Sequence, residues 1–160
     1  MPRLSGMTTW KQAIREGLVS GSLASVLSTA CLALGGARRG VPAAPTNAVS
    51  HWIFGDPALR QDGASLTYTL TGYLIHHACS VFWGVLHAKA WGARFEAKRP
   101  LPAVAGAVAA AGVASFVDYQ LTPKRFTPGF EHRLGKPELV NVYAGFAIGL
   151  AIGSLLMKNR

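Results

Sequence analysis

Two adjacent histidines, His76 and His77, sit in the middle of residues 66–88, a stretch without a single Asp, Glu, Lys or Arg. Imidazole can relay a proton, ligate a metal or hydrogen-bond a solute near neutral pH, so its surroundings decide which of these is open to it. On a helix, His87 returns to nearly the same face as His76 but about 16 Å further along. One metal ion cannot bridge that rise, and neighbouring His76 and His77 diverge by about 100°. The other long apolar stretches contain no histidine. A haem or zinc centre within one chain is therefore not expected, and no cofactor or metal is assigned; facing copies of His76 in a homodimer remain the route to a redox centre.

Further polar candidates lie where apolar stretches end. Asp118 closes the third of them and is expected to meet Lys124 or Arg125, or Asn141 and Tyr143. Its depth differs from that of His76 by about 10 Å, which argues against a direct pair. The loop following the first stretch carries His51 and Asp56, and the loop following the third carries Glu131, His132 and Arg133, an acid, a base and a cation in succession. Both loops fall on the same side of the chain, so His51 and Asp56 are expected to face that triplet. No spacing among these residues matches a catalytic or metal-binding motif.

The elements that must hold these side chains are four charge-free stretches, residues 17–36, 66–88, 101–117 and 139–157. At 1.5 Å per residue, about 20 residues cross a hydrocarbon core of about 30 Å. The apolar residues come in blocks rather than at amphipathic spacing, which favours membrane spans over a water-soluble core. The expected fold is all-α: an integral membrane four-helix bundle, antiparallel up-down, with residues 1–160 as one transmembrane domain and spans at about 17–36, 66–88, 101–121 and 139–157. Trp10, Tyr68, Trp91, Tyr119 and Tyr143 fall near the span ends, as interfacial belts require.

The formal net charge of +9 is spread through every polar segment with no basic face. That distribution excludes nucleic-acid binding and points to the anionic lipid bilayer as partner. Nine Lys and Arg residues fall on the side of the termini and seven on the other, which places both termini in the cytoplasm. Arg3, Lys11 and Arg15 before an apolar run also resemble a signal peptide, with Gly35-Gly36-Ala37 as a passable cleavage site. The run is longer than a usual signal core, so an uncleaved first span is expected. Cys31 and Cys79 have no disulfide or metal spacing and are expected to pack as small apolar residues.

Small residues recur at four-residue spacing along each span, most sharply at Gly145, Gly149 and Gly153. Such rows let helices approach closely, within the chain or across a dimer seam. Pro42 and Pro45 end the first helix, and His51, Trp52 and Phe54 suggest a short segment lying at the membrane interface.

The Asn47–Asp56 segment, the His76–Trp83 segment and the Asp118–Leu134 segment together resemble small four-span bacterial inner-membrane proteins with no established activity. The resemblance covers most of the chain and implies a multi-pass inner-membrane protein, with no substrate or catalytic residue to carry over. The leading expectation is a non-enzymatic packing or interaction protein, with a homo-oligomer or a membrane-protein partner. The alternatives are small-solute transport or permeation by an oligomer, and a membrane redox or enzyme module using the intramembrane histidines.

Overall fold

A computed structural model describes residues 8–157. Arg3, Lys158 and Arg160, counted above for orientation, lie outside the described residues. Every regular element among the described residues is helical. Helix α1 spans Trp10–Ala37, 28 residues or about 42 Å. It starts a full two turns before the uncharged stretch, because the Thr9 hydroxyl caps it by accepting from the Gln12 amide at 3.2 Å. It stops where Gly40 takes a left-handed φ of 76°, and two short helices follow, α2 (Ala44–Val49) and α3 (His51–Phe54).

Residues 66–92 form one continuous helical rod, with α4 (Thr71–His87) flanked by wider π-turns at Leu66–Leu70 and Ala88–Gly92. Helix α5 (Pro100–Phe116) opens on proline, whose missing N–H costs nothing there, and runs into a π-turn at Val117–Leu121. Helix α6 spans Lys136–Leu156; the Glu138 carboxylate caps it by accepting from the Gly135 amide at 3.0 Å. Three of these segments, Trp10–Ala37, Pro100–Leu121 and Lys136–Leu156, are long and apolar enough to cross a membrane. The rod of residues 66–92 matches them in length, at about 40 Å, but carries His76, His77 and His87.

Glycine sets the packing. A Cβ on Gly17 would lie 2.4 Å from the Val85 Cα, and one on Gly21 would lie 2.5 Å from the Val81 Cα, so α1 and α4 touch backbone to backbone. On the neighbouring face of α1, a Cβ on Gly153 would meet Ser20 at 2.3 Å, one on Gly149 would meet Ala24 at 2.3 Å, and one on Gly145 would meet the Cys31 Sγ at 2.8 Å. The Gly145, Gly149, Gly153 row is therefore filled by the chain's own first helix. Helix α5 is fastened to α6 by alanines instead: Ala107 and Ala111 pack with Phe146, Ala147 and Leu150. Between α4 and α5 contact is sparse.

The first connection corrects one expectation. Residues 44–51, His51 among them, are buried against α1 and α4, whereas Ile53 and Phe54 beyond them are exposed, as are Asp56 and Pro57. The approach is close: a Cβ on Gly72 would sit 2.0 Å from the Thr46 carbonyl oxygen. The polar residues of this segment have partners inside the fold. Asn47 is fully buried; its Nδ2 donates to the Gln61 carbonyl at 3.0 Å and to that of Gly63 at 2.9 Å, and its Oδ1 accepts from Thr69 Oγ1 at 2.6 Å. His51 Nδ1 donates to the Ala48 carbonyl at 2.8 Å.

Three arginines lace the two loops together. Arg125 donates to the carbonyls of His51 and Trp52, Arg133 donates to the Leu59 carbonyl and pairs with Asp62, and Arg39 donates to the Arg133 carbonyl at 3.0 Å. The turn that allows this is at Gly129, with a φ of 91° and a would-be Cβ 2.5 Å from the Ala48 carbonyl oxygen. Gly129→Ala is expected to cost about 1–3 kcal/mol, from the strained φ and the steric conflict together. A lowered unfolding midpoint in detergent checks this; an unchanged midpoint contradicts it.

Candidate functional site

The gap between α4 and α5 is a cavity of about 280 Å³ walled by α4, α5 and α6 and roofed by the two laced loops. Its walls are mainly apolar. Trp52, Trp83, Phe126, Phe130 and Phe146 supply most of the large surfaces. The half-exposed rings of Phe82 on α4 and Phe126 on the loop mark a lateral mouth, 57% and 49% accessible.

Polar groups enter this apolar space in two pairs. His76 Nε2 lies 2.8 Å from Ser28 Oγ on α1, and that hydroxyl lies 2.7 Å from the Ala24 carbonyl oxygen. The same hydroxyl lies 3.2 Å from the Ser25 carbonyl oxygen, and its one hydrogen can go to either helix carbonyl or to His76 Nε2, so the direction of the Ser28–His76 bond follows the tautomer of the imidazole. On the facing wall Tyr143 Oη donates to Asp118 Oδ2 at 2.6 Å. Phe130 stands between the pairs, its ring centroid 6.2 Å from that of His76 and 6.5 Å from that of Tyr143. The Asp118 expectation thus resolves onto Tyr143. His76 and Asp118 line the same cavity, yet each bonds its own partner and they form no direct pair.

The remaining candidates do not join them. His77 turns to Tyr73, with ring centroids 5.7 Å apart. His87 is buried at the opposite end of α4, beside Gly92 and Ser154, and neither ring nitrogen has a hydrogen-bond partner among the described residues. His51 is locked under the loops, Asp56 is exposed at the start of a 3₁₀ turn, and the Glu131–His132 pair, 3.9 Å apart, faces partly outward. Arg133 is drawn off to Asp62. The expected convergence of His51 and Asp56 on Glu131, His132 and Arg133 is therefore not formed. Among the described residues, no three His, Cys, Asp or Glu side chains gather as a metal site.

A second buried polar cluster was missed by sequence reasoning. Lys98, from the turn after the 66–92 rod, reaches under the helices to pair with Glu16 on α1, their side chains 7% and 5% exposed. Lys98 also donates to the Ser154 carbonyl at 3.2 Å, and Gln12 Nε2 donates to Glu16 Oε1 at 3.2 Å. The available signal was positional: Glu16, Ser20 and Ala24 share one face of α1, and Ser20 and Ala24 are the residues that receive Gly153 and Gly149. An acid heading a packing row is an acid that will be buried.

No family model, no curated protein and no solved structure matches the chain.

Proposed function

We propose that the chain is a non-enzymatic protein of a bacterial cytoplasmic membrane that holds a small membrane-dissolved molecule in the cavity between α4, α5 and α6. In this reading residues 66–92 are a fourth span, the long helices form an antiparallel up-down bundle, and both termini are cytoplasmic. Large apolar side chains on the outer faces of all four helices, such as Leu18, Leu74, Val108 and Ile148, support a lipid surround. The contacts between helices run in opposite senses, Gly17 to Val85 and Gly21 to Val81, as consecutive spans require.

The observation that carries the functional reading is the cavity itself: an apolar, aromatic-lined space open to the side, with few polar groups. That composition is the usual one for a small-molecule site. The glycine rows that offered a seam for a second protein are filled from within the chain, which moves the reading from association to ligand holding. No permeation path is proposed, because the packed cluster of Ala24, Ala107, Phe146 and Leu150 occupies the core alongside the cavity.

Two measurements test this. Gly63→Cys and Phe95→Cys, in exposed turns on either side of the 66–92 rod, are expected to react with an impermeant thiol reagent from opposite faces of the membrane; labelling from one face removes the fourth span. Mass spectrometry of protein extracted from native membranes is expected to find a small molecule held in near-stoichiometric amount by the wild type and lost from Val117→Trp, which narrows the cavity. A wild type carrying only bulk lipid overturns the binding reading.

A further inference from the structure

The end of the bundle nearest the termini has a cavity of its own, of about 180 Å³, lined by Thr9, Lys11, Gln12, Arg15 and Glu16 at the start of α1 and by Met157 at the end of α6. Its charge is unbalanced. Glu16 is the one acid among its described lining residues, and Lys98 and Gln12 already answer that carboxylate. Lys11 and Arg15 are exposed, and among the described residues neither takes part in an ion pair. A third cation is held beside the helix cap: Lys89 Nζ donates to the Thr8 carbonyl and lies 5.1 Å from the centroid of the Trp10 ring. Resting on the membrane reading above but not on the cavity between α4, α5 and α6, we infer that this pocket holds the phosphate of an anionic phospholipid.

Depth supports this. Helix α1, with its 28 residues, is about 42 Å long against a hydrocarbon core of about 30 Å, so its first turns stand at the level of the headgroups. There Lys11 and Arg15, one turn apart on one face, present an ammonium and a planar guanidinium fork, and phosphate oxygens accept from both. Trp10, exposed at the same level, sits where indole rings collect. A zwitterionic headgroup brings its own ammonium, which two unbalanced cations repel, so the geometry favours a headgroup with net negative charge. Apolar tracks lead away from the cations. Val26, eleven residues on from Arg15, returns to nearly the same face of α1 about 16 Å deeper and is exposed. On α6, Ile148, Ile152 and Leu156 form an exposed row at four-residue spacing that ends beside Met157. A free phosphate uses the cations alone, whereas a phospholipid also lays its acyl chains along these rows.

The test takes the full chain reconstituted in vesicles of equal parts dioleoyl phosphatidylglycerol and dioleoyl phosphatidylcholine, and identifies the lipid it retains by native mass spectrometry. The wild type is expected to retain phosphatidylglycerol with about ten- to thirtyfold preference. Lys11→Gln with Arg15→Gln is expected to remove most of that preference at wild-type elution volume. Arg38→Gln with Lys136→Gln, at exposed positions toward the opposite ends of the same two helices, takes away the same charge and is expected to keep it. No preference in the wild type overturns the site, and so does an equal loss in both double variants, since the effect is then one of net charge. Inorganic phosphate in large excess is expected to leave the retained lipid in place; displacement overturns the lipid as occupant and makes the pocket a site for free phosphate. Each of these outcomes leaves the cavity between α4, α5 and α6 untouched.

Discussion

Glu16→Ala, with Lys98 left in place, is expected to lower unfolding free energy by about 3–5 kcal/mol, and Lys98→Ala by a similar amount, because each strands a charge that folding has already removed from water. The side chains are 5% and 7% exposed, and the geometry around them is that of a satisfied pair: Gln12 donates to the Glu16 carboxylate, and Lys98 donates to both that carboxylate and the Ser154 carbonyl. The double replacement Glu16→Leu with Lys98→Met is expected to lie within about 1 kcal/mol of the wild type, since an apolar pair of similar volume carries no desolvation cost. Equilibrium unfolding in mixed micelles of the two single variants and the double variant, each against the wild type, measures both. Single replacements that cost below about 1 kcal/mol, as at an exposed ion pair, would mean that water reaches this end of the helices.

Gly149→Ala should be comparably damaging although it adds one methyl group. Its Cβ would lie 2.3 Å from the Ala24 Cα and 2.3 Å from the Ala24 nitrogen, both backbone atoms of a helix that cannot swing aside. Relief requires α1 and α6 to move apart, which also loosens the contacts at Gly145 and Gly153, and about 3 kcal/mol or more is expected. Gly112→Ala is the matched control. Nothing lies within 4 Å of its would-be Cβ, so the same chemical change is expected to fall within about 1 kcal/mol of the wild type, with the improved helix propensity of alanine in its favour. Thermal unfolding of the two variants side by side reads the difference, and equal midpoints would show that the seam is not close-packed.

How far this structure was legible from residue order depends on the kind of interaction. The apolar blocks show through because exclusion of charge over about 20 residues is a local property, and all four long helices lie where those blocks fall. The start of α1 does not, since Lys11, Arg15 and Glu16 interrupt the block while the helix, capped at Thr9, continues through them. Small residues at four-residue spacing mark packing faces, but the partner of each face is a matter of helix rotation; nothing local to Gly149 names Ala24. The burial of Asn47 was equally hidden, because its partners are carbonyls at Gln61 and Gly63 and a hydroxyl at Thr69, brought to it only when the loop folds. His76 stood out as a midplane imidazole, yet its partner is Ser28, an ordinary serine on another helix. In each of these cases the sequence marks a residue type whose meaning is settled by a distant neighbour.

The seam between α1 and α6 joins the earliest long helix to the latest, with Ser20 against Gly153 and Ala24 against Gly149. During synthesis at about 5–20 residues per second, the face of α1 that will receive those glycines waits on the order of ten seconds for its partner to be made. Through that interval the Glu16 carboxylate and the Ser20 hydroxyl lie on an unpaired face; Lys98 arrives midway and can cover the acid before the last helix exists. The ion pair that looks like a stability device in the finished protein is, on the ribosome's clock, a polar contact able to cover the Glu16 end of α1 until α6 closes over it.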